Sequence, residues 1–120
     1  RNWVAGNYKK KKFIYGWMPP HPTLFIKTKI YKRLGLFKLN FGTSADYELM
    51  LRYLYYNNIS CAYLPEKITA MQSGGLSDSG LINRLKAHYN DWRAWIENGN
   101  HLFPFWAILK PLRKIKQFFN

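Results

Sequence analysis

The sequence predicts an α/β chain, α+β within its own 120 residues. Three observations point there. Tyr47, Met50, Leu51, Leu54 and Tyr55 recur at the spacing of one buried helix face. Ile82, Leu85, Tyr89, Trp92 and Ile96 trace a second helical stripe. Short runs at 23–28 and 59–64 are rich in β-branched and aromatic residues and lie next to prolines, as strands do.

The elements follow in order. Residues 2–8 read as a short strand or turn. Lys9, Lys10, Lys11 and Lys12 form a solvated loop or a helix end. Pro19-Pro20-His21-Pro22 excludes helix interior and forces extended backbone. The run 23–28 is a predicted strand. Residues 29–34 make a one- to two-turn helix that stops at Gly35, a C-cap. Residues 36–41 are irregular or extended. Ser44 is the expected N-cap of a helix over 44–56, because its hydroxyl can accept a first-turn N–H. Asn57 and Asn58 end that helix. Residues 59–64 and 68–71 are predicted strands around Pro65. Gln72 to Ser77 is a predicted flexible loop, and Ser77 or Asp78 caps a long helix to about residue 97, closed by Gly99. A last helix is expected over 104–119, kinked at Pro111. The division expected is 1–77 as one unit and 78–120 as a helical extension.

Charge is distributed unevenly. The net charge is +13, which attracts an anionic partner: nucleic acid, an acidic membrane surface or a phosphorylated substrate. Ten Lys and Arg precede Asp46, with no Asp or Glu among them. Residues 104–120 carry four more positive charges (Lys110, Arg113, Lys114, Lys116) and no negative one. Apolar content of 48% excludes a disordered chain. No apolar run reaches the roughly 20 residues of a membrane span. Cys61 is the single cysteine, which excludes an intrachain disulfide; its apolar neighbours predict a buried thiol. The opening Arg1-Asn2-Trp3-Val4-Ala5-Gly6 reads as mid-domain sequence, so a preceding portion is expected.

Asp46 and Glu48 lie in a helix first turn, where negative charge is favoured. On the residues alone, Asp46 is either a local electrostatic device or a functional carboxylate. Arg52, six residues on, lies far round the helix from Asp46 and reads as a structural ion-pair partner.

Four motifs occur in order. They are Pro19-Pro20-His21-Pro22-Thr23-Leu24-Phe25-Ile26-Lys27, Tyr31-Lys32-Arg33-Leu34-Gly35-Leu36-Phe37, Ala45-Asp46-Tyr47-Glu48-Leu49-Met50-Leu51-Arg52 and Met71-Gln72-Ser73-Gly74-Gly75-Leu76-Ser77. Together with the closing Leu109-Lys110-Pro111-Leu112 they resemble the C-terminal half of a bacterial family 2 glycosyltransferase with a GT-A fold. The resemblance covers about residues 3–120.

The resemblance implies an inverting sugar transfer from a nucleotide-sugar donor to a glycan or lipid-linked acceptor, in cell-surface polysaccharide synthesis. It implies that Asp46 is the general base that deprotonates the acceptor hydroxyl; the family often has Glu where this chain has Ala45. It places His21 near the donor–acceptor cleft, orienting substrate or binding phosphate oxygens, with a backbone-bonded loop histidine as the alternative. Trp17 is a candidate for stacking on a sugar face or for core packing. Gly74 and Gly75 match a mobile loop whose N–H groups could approach a diphosphate; otherwise they form a turn. The family also requires an Asp-x-Asp motif to hold Mg²⁺ or Mn²⁺, oxygen-seeking cations. With no acidic residue before Asp46, this chain supplies no metal ligands of that motif, and the ion is expected in a complete enzyme only. The implied location is the cytoplasm, peripheral at the inner face of the cell membrane.

Residues 102–120 alternate large apolar and basic side chains, a pattern that lies in an anionic membrane interface or packs on the catalytic unit. The rival functional class is a basic nucleic-acid-binding module or a non-catalytic membrane-associating one. Interleaved aromatics Tyr8, Phe13, Tyr15 and Trp17 favour nucleic acid, but no nucleic-acid motif is present, and no such partner is expected.

Overall fold

The computed structural model describes residues 4–70 and 80–99. Four α-helices organise them: α1 (Lys11–Ile14), α2 (Thr28–Leu34), α3 (Ala45–Met50) and α4 (Leu81–Glu97). Two 3₁₀ segments, His21–Thr23 and Leu39–Ser44, lead into α2 and α3. A π-helical stretch, Leu51–Tyr56, continues α3.

The α3 stretch is the centre of the core because its apolar stripe is continuous. Tyr47, Leu49, Met50, Leu51, Tyr53 and Leu54 are all buried. Phe13, Trp17, Phe41, Ala94 and Trp95 close around them. Burying one such large side chain stabilises the fold by roughly 1.5–3 kcal/mol, so the stripe alone decides where this helix lies. The π register widens the end of the helix. Asn57 N–H donates to the Arg52 carbonyl, five residues back, at 3.1 Å, and Asn57 Nδ2 donates to the same oxygen at 2.8 Å. Asn58 then turns away with φ of 50°, a left-handed conformation that asparagine tolerates.

Several sequence expectations meet a different outcome. Ser44 does not cap α3 through its side chain; its hydroxyl donates instead to the Ala87 carbonyl at 3.1 Å and ties the helix start to α4. Among the described residues there is no strand. Segment 23–28 begins inside a 3₁₀ turn and ends inside α2. Leu24 and Lys27 do hold extended dihedrals, but among the described residues no neighbouring segment pairs with them. Residues 59–64 and 68–70 are likewise irregular. Extended backbone becomes a strand only when a partner takes its N–H and C=O groups.

Cys61 is only partly buried. Burial still raises its thiol above the ordinary value. A thiol held protonated is a poor nucleophile.

The second half of the chain shares the core of the first. Trp95 Nε1 donates to the Tyr47 hydroxyl at 2.9 Å, and Trp95 meets Tyr55 edge-on at 4.8 Å. Asn90 Nδ2 donates to the Phe41 carbonyl at 3.0 Å. Residues 80–99 therefore pack directly on α3 and the 3₁₀ segment before it. Among the described residues no helix is long and apolar enough to cross a membrane. Gly74, Gly75 and the whole of 102–120 lie outside the described residues. The expected cap at Ser77 or Asp78 is not the one used: α4 begins at Leu81, with Gly80 in a non-helical, positive-φ conformation at its N-cap.

Candidate functional site

Two rigid pieces of backbone bring His21 and Asp46 together. The first is the proline-flanked turn. Pro20 and Pro22 fix φ on either side of His21. Thr23 closes the turn twice, with its N–H on the Pro20 carbonyl at 3.0 Å and its hydroxyl on the same oxygen at 2.8 Å. The second is the first turn of α3. Gly42 kinks the chain just before it, at φ 54° and ψ −127°, dihedrals that only glycine adopts freely. Ser44 and Phe41 are then held by α4 as described above.

His21 Nδ1 lies 2.9 Å from Asp46 Oδ2. The other carboxylate oxygen, Oδ1, accepts the Tyr47 N–H at 2.8 Å. Both oxygens are thus engaged, and the carboxylate is fixed in rotation. The Asp46 side chain is 22% exposed and the His21 side chain 54%. The pair stands at the edge of a cavity of about 80 Å³ lined also by Leu24, Ile26, Tyr31, Phe37, Leu49 and Met50. Leu24 and Ile26 share a face because extended chain alternates sides. A cavity this small admits part of a ligand, such as one hydroxyl-bearing edge, against an apolar wall.

The other acidic residue of the first turn goes inward. Glu48 is fully buried. Arg52 grips it with Nε and Nη2, each at 3.0 Å. Lys38 Nζ lies at 3.4 Å and Asn98 Nδ2 donates at 3.3 Å. Burial pushes the Glu48 carboxyl up, but the hydrogen bonds from Arg52 and Asn98 and the charges of Arg52 and Lys38 outweigh it. The carboxyl ends below its ordinary value. The Arg52 guanidinium also donates to the carbonyls of Leu34, Gly35 and Leu36, the last at 2.7 Å. This is the ion pair expected of Arg52, extended into a clamp on the end of α2. Glu48 itself is no base for a substrate, since it is fully buried and ion-paired with Arg52.

Trp17 lies in the core, 5% exposed, edge-on to Phe13 at 6.0 Å, with Lys12 Nζ 4.9 Å from its ring centre. It does not line the cavity. The Tyr47 hydroxyl is pushed far up, first by burial and then by the Asp91 charge, against a smaller lowering from the Trp95 hydrogen bond. It therefore stays neutral and structural.

Among the described residues, no group of three or more His, Cys, Asp or Glu could hold a metal ion. Both Asp46 oxygens are already hydrogen-bonded.

The six cavity-lining apolar residues were not legible as a site. Their only signal is the alternation of Leu24 and Ile26 and the apolar run Leu49-Met50, both ordinary core patterns.

Comparison with family models, with curated proteins and with solved structures finds no match to this chain.

Proposed function

We propose that this chain forms the acceptor side of a glycosyltransferase, with Asp46 as the carboxylate that drives removal of the acceptor's proton. The observation that carries the reading is the meeting of His21 and Asp46 at 2.9 Å beside the cavity. They belong to two different motifs of the resemblance and are 25 residues apart in sequence.

The chemistry is an inverting displacement. The acceptor O–H bond breaks, and its oxygen attacks the anomeric carbon of a nucleotide sugar. The nucleotide diphosphate leaves from the opposite face. One fixed base is what such a step requires. The acceptor is a glycan or a lipid-linked sugar, and the basic, aromatic residues 102–120 hold the enzyme at an anionic membrane surface.

The test uses the complete open reading frame that contains this chain. Release of nucleoside diphosphate from a panel of nucleotide sugars is followed with Mg²⁺ or Mn²⁺ present. Turnover of at least one donor is expected, with Asp46→Asn slowing it by roughly 10²–10⁴-fold, the range of general-base catalysis. Full turnover by Asp46→Asn would refute the assignment, and no release from any donor would refute transfer itself.

A further inference from the structure

Asp46 is the carboxylate of the pair, yet it is the less available member. Its Oδ1 holds the Tyr47 N–H and its Oδ2 faces His21 Nδ1. Its side chain is 22% exposed, against 54% for His21. With Nδ1 facing Asp46, the second ring nitrogen of His21, Nε2, offers a proton-accepting lone pair on the more exposed member of the pair. The prolines on either side of His21 and the doubly closed turn at Thr23 hold the ring there.

We propose that His21 and Asp46 act as one basic unit in which Nε2 of His21 takes the acceptor's proton and Asp46 stabilises the resulting imidazolium. This rests on the transferase reading above and refines its base. In the resting state Nδ1 carries the ring proton and donates it to Asp46 Oδ2. The acceptor O–H proton moves to Nε2. The oxygen electron pair forms the bond to the anomeric carbon of a nucleoside-diphosphate sugar, and the nucleoside diphosphate departs with the pair of the broken bond. The Nδ1 proton stays on the ring. A carboxylate behind an imidazole fixes its tautomer and the orientation of the ring. Asp46 is then a positioning residue, and His21 the catalytic one.

Reactivity toward an electrophile reads Nε2 directly, without knowledge of donor or acceptor. The 120-residue chain is treated with diethyl pyrocarbonate, and the rate at His21 is resolved by peptide mass spectrometry. At a pH above the ordinary imidazole range, where protonation no longer sets the rate, Asp46→Asn is expected to slow His21 relative to His88, because a neutral amide no longer holds the Nδ1–H. His88 should keep its wild-type rate and so report an intact fold. Equal His21 rates in wild type and Asp46→Asn would overturn the proposal.

The wild-type chain gives a second measurement that no folding failure can spoil. Its ¹⁵N-histidine spectrum should show neutral His21 as the Nδ1–H tautomer; an Nε2–H tautomer would overturn the proposal. The two readings separate cleanly. Loss of transfer in Asp46→Asn with unchanged His21 reactivity keeps the transferase and rejects the dyad. A selective loss of His21 reactivity without turnover of any nucleotide sugar keeps the basic dyad and rejects transfer as its use.

Discussion

Replacing Arg52 by Ala should be among the most damaging single changes in this chain, and its pH dependence identifies the cause. Glu48 is fully buried and owes two hydrogen bonds to Arg52. Removing one partner of a buried ion pair costs about 3–5 kcal/mol, because the other charge is left without compensation. The lower end applies here. Lys38 at 3.4 Å and Asn98 at 3.3 Å still face Glu48. The carbonyls of Leu34 and Leu36 are only partly buried and can turn to water, while the Gly35 carbonyl keeps the Tyr53 hydroxyl. A loss of about 3 kcal/mol corresponds to roughly 12 °C in Tm for a domain of this size. Urea unfolding of both proteins between pH 4 and pH 8 measures it.

In the wild type the folded carboxyl lies below its ordinary 4.5, so its contribution is complete above pH 4.5 and fades as pH falls through the lower folded value. Without Arg52, burial dominates and moves the folded carboxyl upward. Stability of the variant then improves as pH falls through that raised value. The difference between the two proteins should therefore be largest near neutral pH and shrink toward pH 4. A difference below about 1 kcal/mol, the worth of an exposed pair, or one that does not change with pH, would refute the account.

Gly35→Ala should cost about 1–3 kcal/mol, since φ of 84° with ψ of 167° is a region essentially restricted to glycine. Its new Cβ would also sit 3.4 Å from Arg52 Nη1; thermal unfolding measures the loss, and a neutral result would remove the strain argument. Trp95→Ala should cost roughly 3–5 kcal/mol as a buried aromatic truncation, seen by denaturant unfolding, and a loss under about 1 kcal/mol would detach α4 from the core. The chain should float with anionic vesicles and not with neutral ones, and truncation before Leu102 should abolish flotation. Equal flotation with both lipids would remove the electrostatic part of that interaction.

Helix positions were legible because they rest on local periodicity, but the face that α4 buries was not: Ile82, Leu85, Tyr89 and Trp92 of the expected stripe are exposed among the described residues, and Ala94 and Trp95 enter the core instead. The stripe Tyr47, Met50, Leu51, Leu54 is the buried face of α3 and its continuation, and the stop at Gly35 is where α2 ends. Strands were not legible, because a strand is a relation between two segments. The run from Leu24 to Lys27 has the composition and partly the dihedrals, but its partner is not a property of its own residues. Ser44 shows the same limit at one side chain. A cap needs only the next turn of helix, whereas the observed bond reaches Ala87, 43 residues away. His21 and Asp46 were each singled out by motif. That they touch could not be read from either segment, since it depends on how the proline turn and α3 pack. The burial of Glu48 was also hidden: its spacing from Asp46 fits an exposed acidic first turn equally well.

The two acidic residues of that first turn have opposite fates, and this links the clamp to the site. Positions two apart on a helix point to opposite sides. With Glu48 drawn inward onto Arg52, Asp46 is turned outward to the cavity and His21. The same guanidinium holds the carbonyls of Leu34, Gly35 and Leu36, and so fixes the end of α2 and the loop that carries Phe37. Tyr31 and Phe37, whose rings meet at 6.4 Å, form one wall of the cavity, and Asp46 stands on another. Arg52 touches neither the cavity nor the dyad, yet it joins the two backbones that build them. Arg52→Lys keeps the positive charge but gives up the paired grip on Glu48 and the reach to three carbonyls. It should therefore lower the diethyl pyrocarbonate reactivity of His21 even where the protein remains folded. Unchanged His21 reactivity in folded Arg52→Lys would mean that the proline turn and the first turn of α3 set the dyad without help from the clamp.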